Sequence, residues 1–348
     1  MLRLFAILAI AVSMSSISSS SFAASPLERV ISFKGSGGVT LAGMLTLPDK
    51  EEEAPFPAVL LLQGSGPTDR DGNQLPGIRT DLLRQIARDL AEVGIASLRF
   101  DKRGMHANAE DLPREPAALR RFVAWDNFVA DAQMGYRWLA SDLDVDSERV
   151  GIVGHSEGGL IALDLLQRQA VAPSAVVLLA TPGRPLGEVM AEQLAALWED
   201  QGATPEQRAY VLAEDARIRA AIKASGEVPD DVPPGLQTLY PGYLGLYFQP
   251  LLQFDPVKAL AGFSGPVLLL SGGRDRQVSP ERDFAPLADL LRTKGDGSFA
   301  FIAQDVSHNL KPVEDGGPGF EGRIDEAVRA GLTNWLARIL GDEGAGLE

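Results

Sequence analysis

A serine flanked by glycines two residues before and two residues after it stands near the middle of the chain. The motif Gly154–His155–Ser156–Glu157–Gly158 follows the apolar segment Val150–Val153 and precedes a run with helical spacing. A G-x-S-x-G motif between a strand and a helix holds its serine on a sharp, strained turn, where glycines avoid collisions with neighbouring backbone. Ser156 is therefore the candidate nucleophile. The alternative is a glycine-rich turn that contains a bystander serine.

A serine hydroxyl becomes a strong nucleophile only when a base removes its proton, and the chain has 3 histidines. His308 follows the strand-like segment Phe299–Ile302 and precedes the last helical pattern, so its imidazole can lean back over the nucleophile turn. His106, in the loop after the segment Ala96–Phe100, is the alternative base. His155 is next to the serine and is predicted to point into the core.

The base needs an acid partner that fixes its tautomer and stabilises its charged form. Asp275 lies in Gly272–Gly273–Arg274–Asp275–Arg276, directly after the apolar segment Val267–Leu270. This position is the carboxyl end of a predicted strand, where ligands gather in open α/β sheets. The order Ser156, Asp275, His308 along the chain is also the order that accompanies this serine motif. We therefore predict that these three residues form a catalytic triad.

Acyl transfer develops an oxyanion that backbone N–H groups stabilise. The N–H of Glu157, at the start of the helix after the nucleophile, is predicted to be one donor. The second donor is expected from the turn Gln63–Gly64–Ser65–Gly66–Pro67, which follows the apolar segment Ala58–Leu62. Ser65 N–H is the preferred candidate and Gly64 N–H the alternative. This chemistry requires no cofactor and no metal.

Short apolar segments alternate with segments of helical periodicity along most of the chain. Strands that are apolar on both faces are typical of a parallel sheet covered by helices on each side. The alternation predicts an α/β fold with a mostly parallel, doubly wound sheet and right-handed crossovers. An antiparallel hairpin from Arg29–Phe33 and Val39–Leu47 is predicted at its edge. The strand segments are Ala58–Leu62, Ala96–Phe100, Val150–Val153, Ala175–Ala180 and Val267–Leu270, and the helical stripes cover Leu82–Val93, Trp125–Leu139 and Ile324–Ile339.

One long stretch contains no convincing strand. It lies between Pro182 and Pro266, and Thr204–Pro205–Glu206 within it has the residue types of a helix start that continues toward Ser225. We interpret residues 183–262, approximately, as a helical cap inserted into a single α/β domain that covers residues 24–348.

The cap contains an aromatic segment, Tyr240–Phe248, that is too apolar for a solvated loop. Its glycines, Gly242 and Gly245, argue against a regular helix there. The segment either packs the cap against the sheet or lines an acyl or alcohol pocket, because ligand sites are mostly apolar.

The N-terminus has the pattern of a secretory signal peptide over residues 1–23. Arg3 supplies a positive charge, Leu4–Val12 is apolar but too short to span a membrane, and Ser21–Phe22–Ala23 offers small residues for cleavage. The alternative is an uncleaved anchor. The chain has no cysteine, so export would not involve disulfides. A periplasmic or secreted protein without stable membrane insertion is expected.

The mature chain is acidic, and this charge limits its partners. The sequence has 47 Asp and Glu against 32 Lys and Arg, which gives a net charge of −15. Such a chain repels phosphate backbones and anionic lipid surfaces. Nucleic acid is therefore not an expected partner, unless the chain carries a local basic patch. The serine motif instead predicts a small-molecule ester substrate.

Three other segments resemble binding motifs for zinc, calcium or phosphate but lack residues that such sites require. His155–Ser156–Glu157 mimics the H-x-E of zinc deaminases, but the cysteines that such a site requires are absent. Asp69–Arg70–Asp71–Gly72–Asn73 resembles a calcium loop whose glycine comes too early and which lacks the final Glu. Gly64–Ser65–Gly66 is not followed by the G-K-S/T of a phosphate-binding loop.

The chain resembles the α/β-hydrolase superfamily from about residue 28 to residue 340. It is most similar to exported bacterial esterase-like members related to dienelactone hydrolases and serine aminopeptidases. The resemblance implies hydrolysis of an ester, thioester or amide through an acyl-enzyme. The chain departs from the family pattern at Gln63, where many relatives have His, and at Met105–His106–Ala107, where Gly and Ser are usual. The matching pieces are the segment from Gln63 to Asn73, Phe100–Gly104, Gly154–Gly158, Gly273–Asp275 and Ser307–His308.

The sequence thus predicts a serine hydrolase that acts on carboxylic esters. A serine aminopeptidase-like amide hydrolase is the enzymatic alternative, and it would need cap carboxylates, such as Glu188, Glu192 and Glu199, to bind a substrate ammonium. A binding protein on the same fold, without turnover, is the third hypothesis.

Overall fold

An eight-stranded sheet forms the centre of the protein. The computed structural model describes residues 26–49, 53–294, 297–314 and 317–341, so the predicted signal peptide lies outside the described residues. The strand order is β1-β2-β4-β3-β5-β6-β7-β8, with β3 to β8 mutually parallel and β1 and β2 antiparallel at one edge. This sheet confirms the predicted fold class and its N-terminal hairpin. The strands are β1 Leu27–Lys34, β2 Thr40–Leu47, β3 Phe56–Leu62, β4 Ala96–Phe100, β5 Val145–His155, β6 Val176–Leu179, β7 Val267–Gly272 and β8 Phe299–Ala303.

Helices cover both faces of the sheet, and the residues of β3 alternate between two apolar clusters. Leu60 belongs to a cluster with Phe128 on one face, whereas its neighbour Leu61 belongs to a cluster with Leu82 on the other. Burial on both faces explains why these strands are continuously apolar. The helices within the described ranges are α1 Leu82–Glu92, α2 Pro116–Phe122, α3 Trp125–Ala140, α4 Glu157–Gln167, α5 Leu186–Asp200, α6 Pro205–Ser225, α7 Gly245–Leu251, α8 Pro256–Ala261, α9 Ala285–Leu291 and α10 Glu326–Leu340.

Four helices, α5 to α8, occupy the stretch between β6 and β7 that was predicted to lack strands. Helix α6 begins as its residue types predict. The Thr204 side chain accepts a hydrogen bond from Gln207 N–H, and the Gln207 side chain accepts one from Thr204 N–H. Among the helices of the described ranges, none is both long enough and apolar enough to cross a membrane.

The expectation that Gly242 and Gly245 prevent a regular helix is wrong for the second half of that segment. Helix α7 starts at Gly245, which has helical dihedrals of φ −56° and ψ −47°. A Cβ at this position would lie 2.2 Å from the Gly226 carbonyl oxygen. The glycine therefore lets α7 approach the end of α6, and this tertiary contact outweighs its low helix propensity.

Candidate active site

Ser156 lies on the turn between the end of β5 and the start of α4. Its backbone is in a rarely populated conformation, with φ 54° and ψ −118°. A Cβ at Gly154 would lie 2.4 Å from the Gly158 carbonyl oxygen, and one at Gly158 would lie 2.2 Å from the Leu62 carbonyl oxygen. Both glycines are therefore required sterically, as the motif predicts. The turn therefore has the strand–turn–helix geometry expected of a nucleophile elbow.

His308 and Asp275 form a buried pair that lies beside this turn. His308 Nδ1 and Asp275 Oδ2 are 2.7 Å apart, and the Asp275 side chain is 0% exposed. The other carboxylate oxygen, Oδ1, accepts hydrogen bonds from the N–H groups of Gln277 and Val278 at 2.8 and 2.9 Å. The carboxylate thus favours a proton on Nδ1 and leaves Nε2 as the acceptor. His308 and Ser156 line the same cavity.

The glycines before Asp275 permit this pairing. A Cβ at Gly272 would lie 2.2 Å from the Val306 carbonyl oxygen, and one at Gly273 would lie 2.4 Å from the Gln304 carbonyl oxygen. Without side chains at these positions, the end of β7 approaches the loop that carries His308 closely enough for the Asp275–His308 hydrogen bond.

The other two histidines have different surroundings. His155 is 7% exposed, and its Nε2 lies 2.9 Å from the His308 carbonyl oxygen, so it packs in the core as predicted. Burial, and then the proximity of His308, lower the pKa of His155 to about 3. His106 is exposed, and its Nε2 lies 2.8 Å from the Pro67 carbonyl oxygen. It lines neither of the two cavities that contain Ser156.

The loop after β3 and the first residue of α4 meet at Ser156. A Cβ at Gly64 would lie 3.4 Å from the Ser156 Cβ, which places this loop against Ser156. Ser65 lines both cavities that contain Ser156. Glu157 opens α4, and the first N–H groups of a helix have no intrahelical acceptor. The structure therefore brings together Ser156 and the three candidate oxyanion residues.

Sequence reasoning missed Lys102 as part of this site. Its side chain is buried, and its Nζ donates to the Gly64 carbonyl at 2.7 Å, the Gly66 carbonyl at 3.3 Å and Glu157 Oε1 at 2.9 Å. Tyr247, from α7 in the cap, donates its hydroxyl to Glu157 Oε2. The feature of the sequence that could have indicated Lys102 is its position: it follows the carboxyl end of β4, the strand next to β3 in the sheet.

Two cavities of different character meet at Ser156. One, of about 530 Å³, lies under the cap and is lined mainly by apolar side chains. The other, of about 310 Å³, contains His308 and many polar side chains. The two cavities share Ser65, Gly66 and Ser156. The apolar cavity includes Phe128, Leu160, Met190, Leu239, Tyr243 and Tyr247, and the polar cavity includes Gln63, Thr68, Gln74, Gln277, His308 and Asn309.

The cap glutamates that would suit an aminopeptidase lie elsewhere. Glu192 forms ion pairs with Arg184 and Arg282, both at 2.6 Å. Glu199 pairs with Arg208 at 2.9 Å, and Glu188 is exposed on α5. None of the three glutamates lines either cavity at Ser156. Within the described ranges, no cluster of His, Asp or Glu is arranged to hold a metal ion.

The fold and the elbow geometry are those of the α/β-hydrolases, and the family model for α/β-hydrolases matches residues 36–312. The chain belongs to this family, which confirms the resemblance inferred from its motifs. It is 28% identical over 302 residues to the esterase EstD of Thermotoga maritima, which covers 86% of this chain and 66% of that esterase. A 30% identical match to mouse dipeptidyl peptidase 8 covers 41% of this chain and only 15% of the peptidase.

Solved structures share the fold at low sequence identity. An esterase from Pyrococcus furiosus superposes with a TM-score of 0.56 at 15% identity, covering 91% of this chain and 92% of that one. A dienelactone hydrolase from Anabaena variabilis superposes with a TM-score of 0.51 at 19% identity, covering 90% of this chain and 99% of that one.

Proposed function

We propose that this protein is a serine hydrolase that cleaves carboxylic esters through an acyl-enzyme intermediate. The observation that carries the proposal is the 2.7 Å contact of His308 Nδ1 with Asp275 Oδ2 beside a serine held at φ 54°. Ser156 is the nucleophile, His308 the general base and Asp275 the residue that orients His308. The N–H groups of Glu157 and Ser65 bind the oxyanion, with Gly64 as the alternative to Ser65.

The reaction proceeds in two halves. Ser156 Oγ attacks the ester carbonyl carbon while its proton passes to His308 Nε2, and the negative charge on the carbonyl oxygen is held by the backbone donors. The C–O bond to the alcohol then breaks as His308 returns the proton to the leaving oxygen. A water molecule attacks the acyl-enzyme in the same way, and the carboxylic acid leaves with Ser156 restored.

The two cavities support a proposal for where the two parts of the substrate bind. The leaving group must receive its proton from His308, so the alcohol occupies the polar cavity that His308 lines. The acyl group then occupies the apolar cavity under the cap. This arrangement favours an apolar acyl group joined to a small, polar alcohol. A thioester with the same acyl group fits the same arrangement.

A fluorophosphonate probe tests the nucleophile, because it reacts with an activated serine. The native protein should be labelled once, and Ser156→Ala should abolish labelling and lower kcat by roughly 10⁴–10⁶-fold. Ser141→Ala, at the C-terminal end of α3, is the control and should be labelled normally. Undiminished labelling or ester turnover of the Ser156→Ala protein would show that another residue is the nucleophile.

A further inference from the structure

The ion pair between Lys102 and Glu157 lies beside the nucleophile but takes no part in the steps above. The two residues are 5% and 7% exposed, and Nζ lies 2.9 Å from Oε1. A buried ion pair repays its desolvation only when its remaining hydrogen-bonding groups also find partners. Lys102 meets this condition, because its three ammonium protons face three acceptors, Glu157 Oε1 and the carbonyl oxygens of Gly64 and Gly66.

The contact with Gly64 fixes the direction of a proposed oxyanion donor. The Gly64 carbonyl and the Ser65 N–H belong to one peptide unit, and in a planar trans peptide the C=O and N–H bonds point in opposite directions. Lys102 Nζ holds the carbonyl oxygen at 2.7 Å. The Ser65 N–H is therefore directed away from Lys102. Rotation of this peptide plane would cost the buried ammonium one of its acceptors.

The same lysine restrains the residue that supplies the other donor. Glu157 opens α4, and its carboxylate is held by Lys102 on one oxygen and by the Tyr247 hydroxyl on the other. One ammonium group thus connects the loop after β3 with the start of α4, the two segments that provide the oxyanion donors.

Tyr247 extends this connection to the cap. Its ring packs edge-on against Trp125 and Phe128 of α3, with centroid distances of 5.8 Å in both cases. Burial and the negative charge of Glu157 raise the pKa of Tyr247 well above its usual value, so the phenol stays protonated and donates. A hydroxyl group from the cap therefore supplies the second side-chain partner of the Glu157 carboxylate.

We propose that Lys102 is a positioning residue that fixes the orientation of both backbone N–H groups that bind the oxyanion. Through the hydrogen bond from Tyr247 to Glu157, this orientation also depends on the position of α7. This inference rests on the proposed serine hydrolase mechanism. Neither side-chain group needs to touch the reacting atoms. Their effect is expected on the transition state, whose oxyanion the donors bind, and not on binding of the uncharged substrate.

Two substitutions remove the hydrogen bonds of Lys102 and Tyr247 while keeping a side chain of similar size at each position. Lys102→Met should lower kcat/KM of the full chain by about 10²–10³-fold, the usual effect of losing one oxyanion donor, with the loss in kcat and not in KM. Tyr247→Phe keeps the ring and should lower kcat by about 10-fold, since it removes one hydrogen bond to a charged group. It also tests the proposal in a chain that keeps its packing, should Lys102→Met fail to fold.

Paired inhibitors separate positioning from structural damage. An alkyl trifluoromethyl ketone forms an oxyanion adduct with the serine, whereas the corresponding methyl ketone binds without one. In both variants, affinity for the trifluoromethyl ketone should fall by the same factor as kcat/KM, while affinity for the methyl ketone stays within about 3-fold of wild type. The double variant should lose less than the product of the two single effects, because both act through Glu157.

Tyr240→Phe is the matched control. It removes another buried cap hydroxyl, which donates to Asp215 Oδ1 at 2.5 Å in the core of the cap. This control should lower Tm and leave the ratio of the two ketone affinities unchanged. Wild-type trifluoromethyl ketone affinity in Lys102→Met or Tyr247→Phe, or an equal loss in Tyr240→Phe, would overturn the inference. A wild-type protein that hydrolyses no ester and takes no fluorophosphonate label would instead overturn the proposed function itself.

Discussion

At the residue scale, the neighbouring imidazoles of His155 and His308 are expected to have different roles. The rings of His155 and His308 lie 4.9 Å apart between centroids. His155 Nε2 lies 2.9 Å from the His308 carbonyl oxygen, a contact in which the neutral ring donates its proton. Because burial lowers the pKa of His155 and keeps its ring uncharged, His155 contacts the backbone of His308, the proposed base, without adding a positive charge beside it.

The depressed pKa of His155 predicts a pH dependence of stability. The pKa is about 3 in the folded chain, against 6.5 for an exposed histidine. Between these values the unfolded chain binds a proton that the folded chain does not. The unfolding free energy should therefore fall as pH drops from 6.5 toward 3, by at most ~1.4 kcal/mol per pH unit from this residue.

Urea unfolding of the wild type and of His155→Gln at pH 7 and pH 5 measures this contribution. The variant is expected to lose less stability than the wild type between the two pH values, because glutamine does not titrate. Equal losses in the two proteins would mean that His155 takes up a proton as readily in the folded chain as in the unfolded chain, and so that its pKa is not lowered by folding.

Two histidine variants distinguish the candidate bases. His308→Ala should be nearly as inactive as Ser156→Ala, since members of a triad act as a unit. His106→Ala should retain substantial activity, because the exposed His106 imidazole contacts the Pro67 carbonyl and lines neither cavity at Ser156. Steady-state kcat/KM on one ester measures both. The reverse result would move the base to His106.

At the scale of elements, strands buried on both faces were the easiest features to predict. Strand β4 has the predicted bounds Ala96–Phe100. All of its residues are buried, and all except Ser97 and Arg99 are apolar. Strand β5 begins at Val145, five residues before the predicted segment, because its first half is only partly buried and carries polar residues. Helix α7 was missed because its cause is the close approach of Gly245 to Gly226, which local propensity does not encode.

The residues of the candidate site also differ in how far local sequence indicates them. Ser156, Asp275 and His308 could be proposed as a triad from the sequence because each lies in a short segment that follows a strand, and the structure places His308 beside both of the others. The Lys102–Glu157–Tyr247 connection could not, since its members are 55 and 90 residues apart and only the folded chain brings them together. The sequence predicts a role for the Glu157 backbone N–H but none for the side chains of Lys102 and Glu157, whose burial and pairing appear only in the folded chain.

The aromatic segment of the cap divides into scaffold and pocket. Tyr240 is 2% exposed within the cap's own apolar cluster, so Tyr240→Ala should cost roughly 3–5 kcal/mol of stability and preserve the ranking of acyl chain lengths by kcat/KM. Tyr243 is 40% exposed and lines the apolar cavity, so Tyr243→Ala should change that ranking with little loss of Tm.

Thermal unfolding and a series of esters with increasing acyl length measure the two effects. A pure stability loss from Tyr243→Ala, with the ranking unchanged, would show that acyl groups bind outside the cavity under the cap.

At the scale of the whole molecule, we propose that the protein is exported. The predicted signal peptide, residues 1–23, lies outside the described residues, and the first strand begins only at Leu27. Mass spectrometry of protein from the periplasm or the medium should find a mature N-terminus at Ala24. Intact Met1 on protein from the cytosolic fraction would contradict export. The acidic composition, with a net charge of −15 over the full sequence, is expected to keep the released chain away from anionic lipid headgroups.

In the proposed mechanism, the meeting of two cavities at Ser156 also implies an order of events. Once the alcohol has left the polar cavity, the acyl group still fills the apolar one, and the next nucleophile reaches the acyl carbon from the side of His308. Water and added alcohols therefore compete for one vacant place. The proposed mechanism therefore predicts ping-pong kinetics, in which the polar side chains around that place decide whether the acyl group is hydrolysed or transferred to another alcohol.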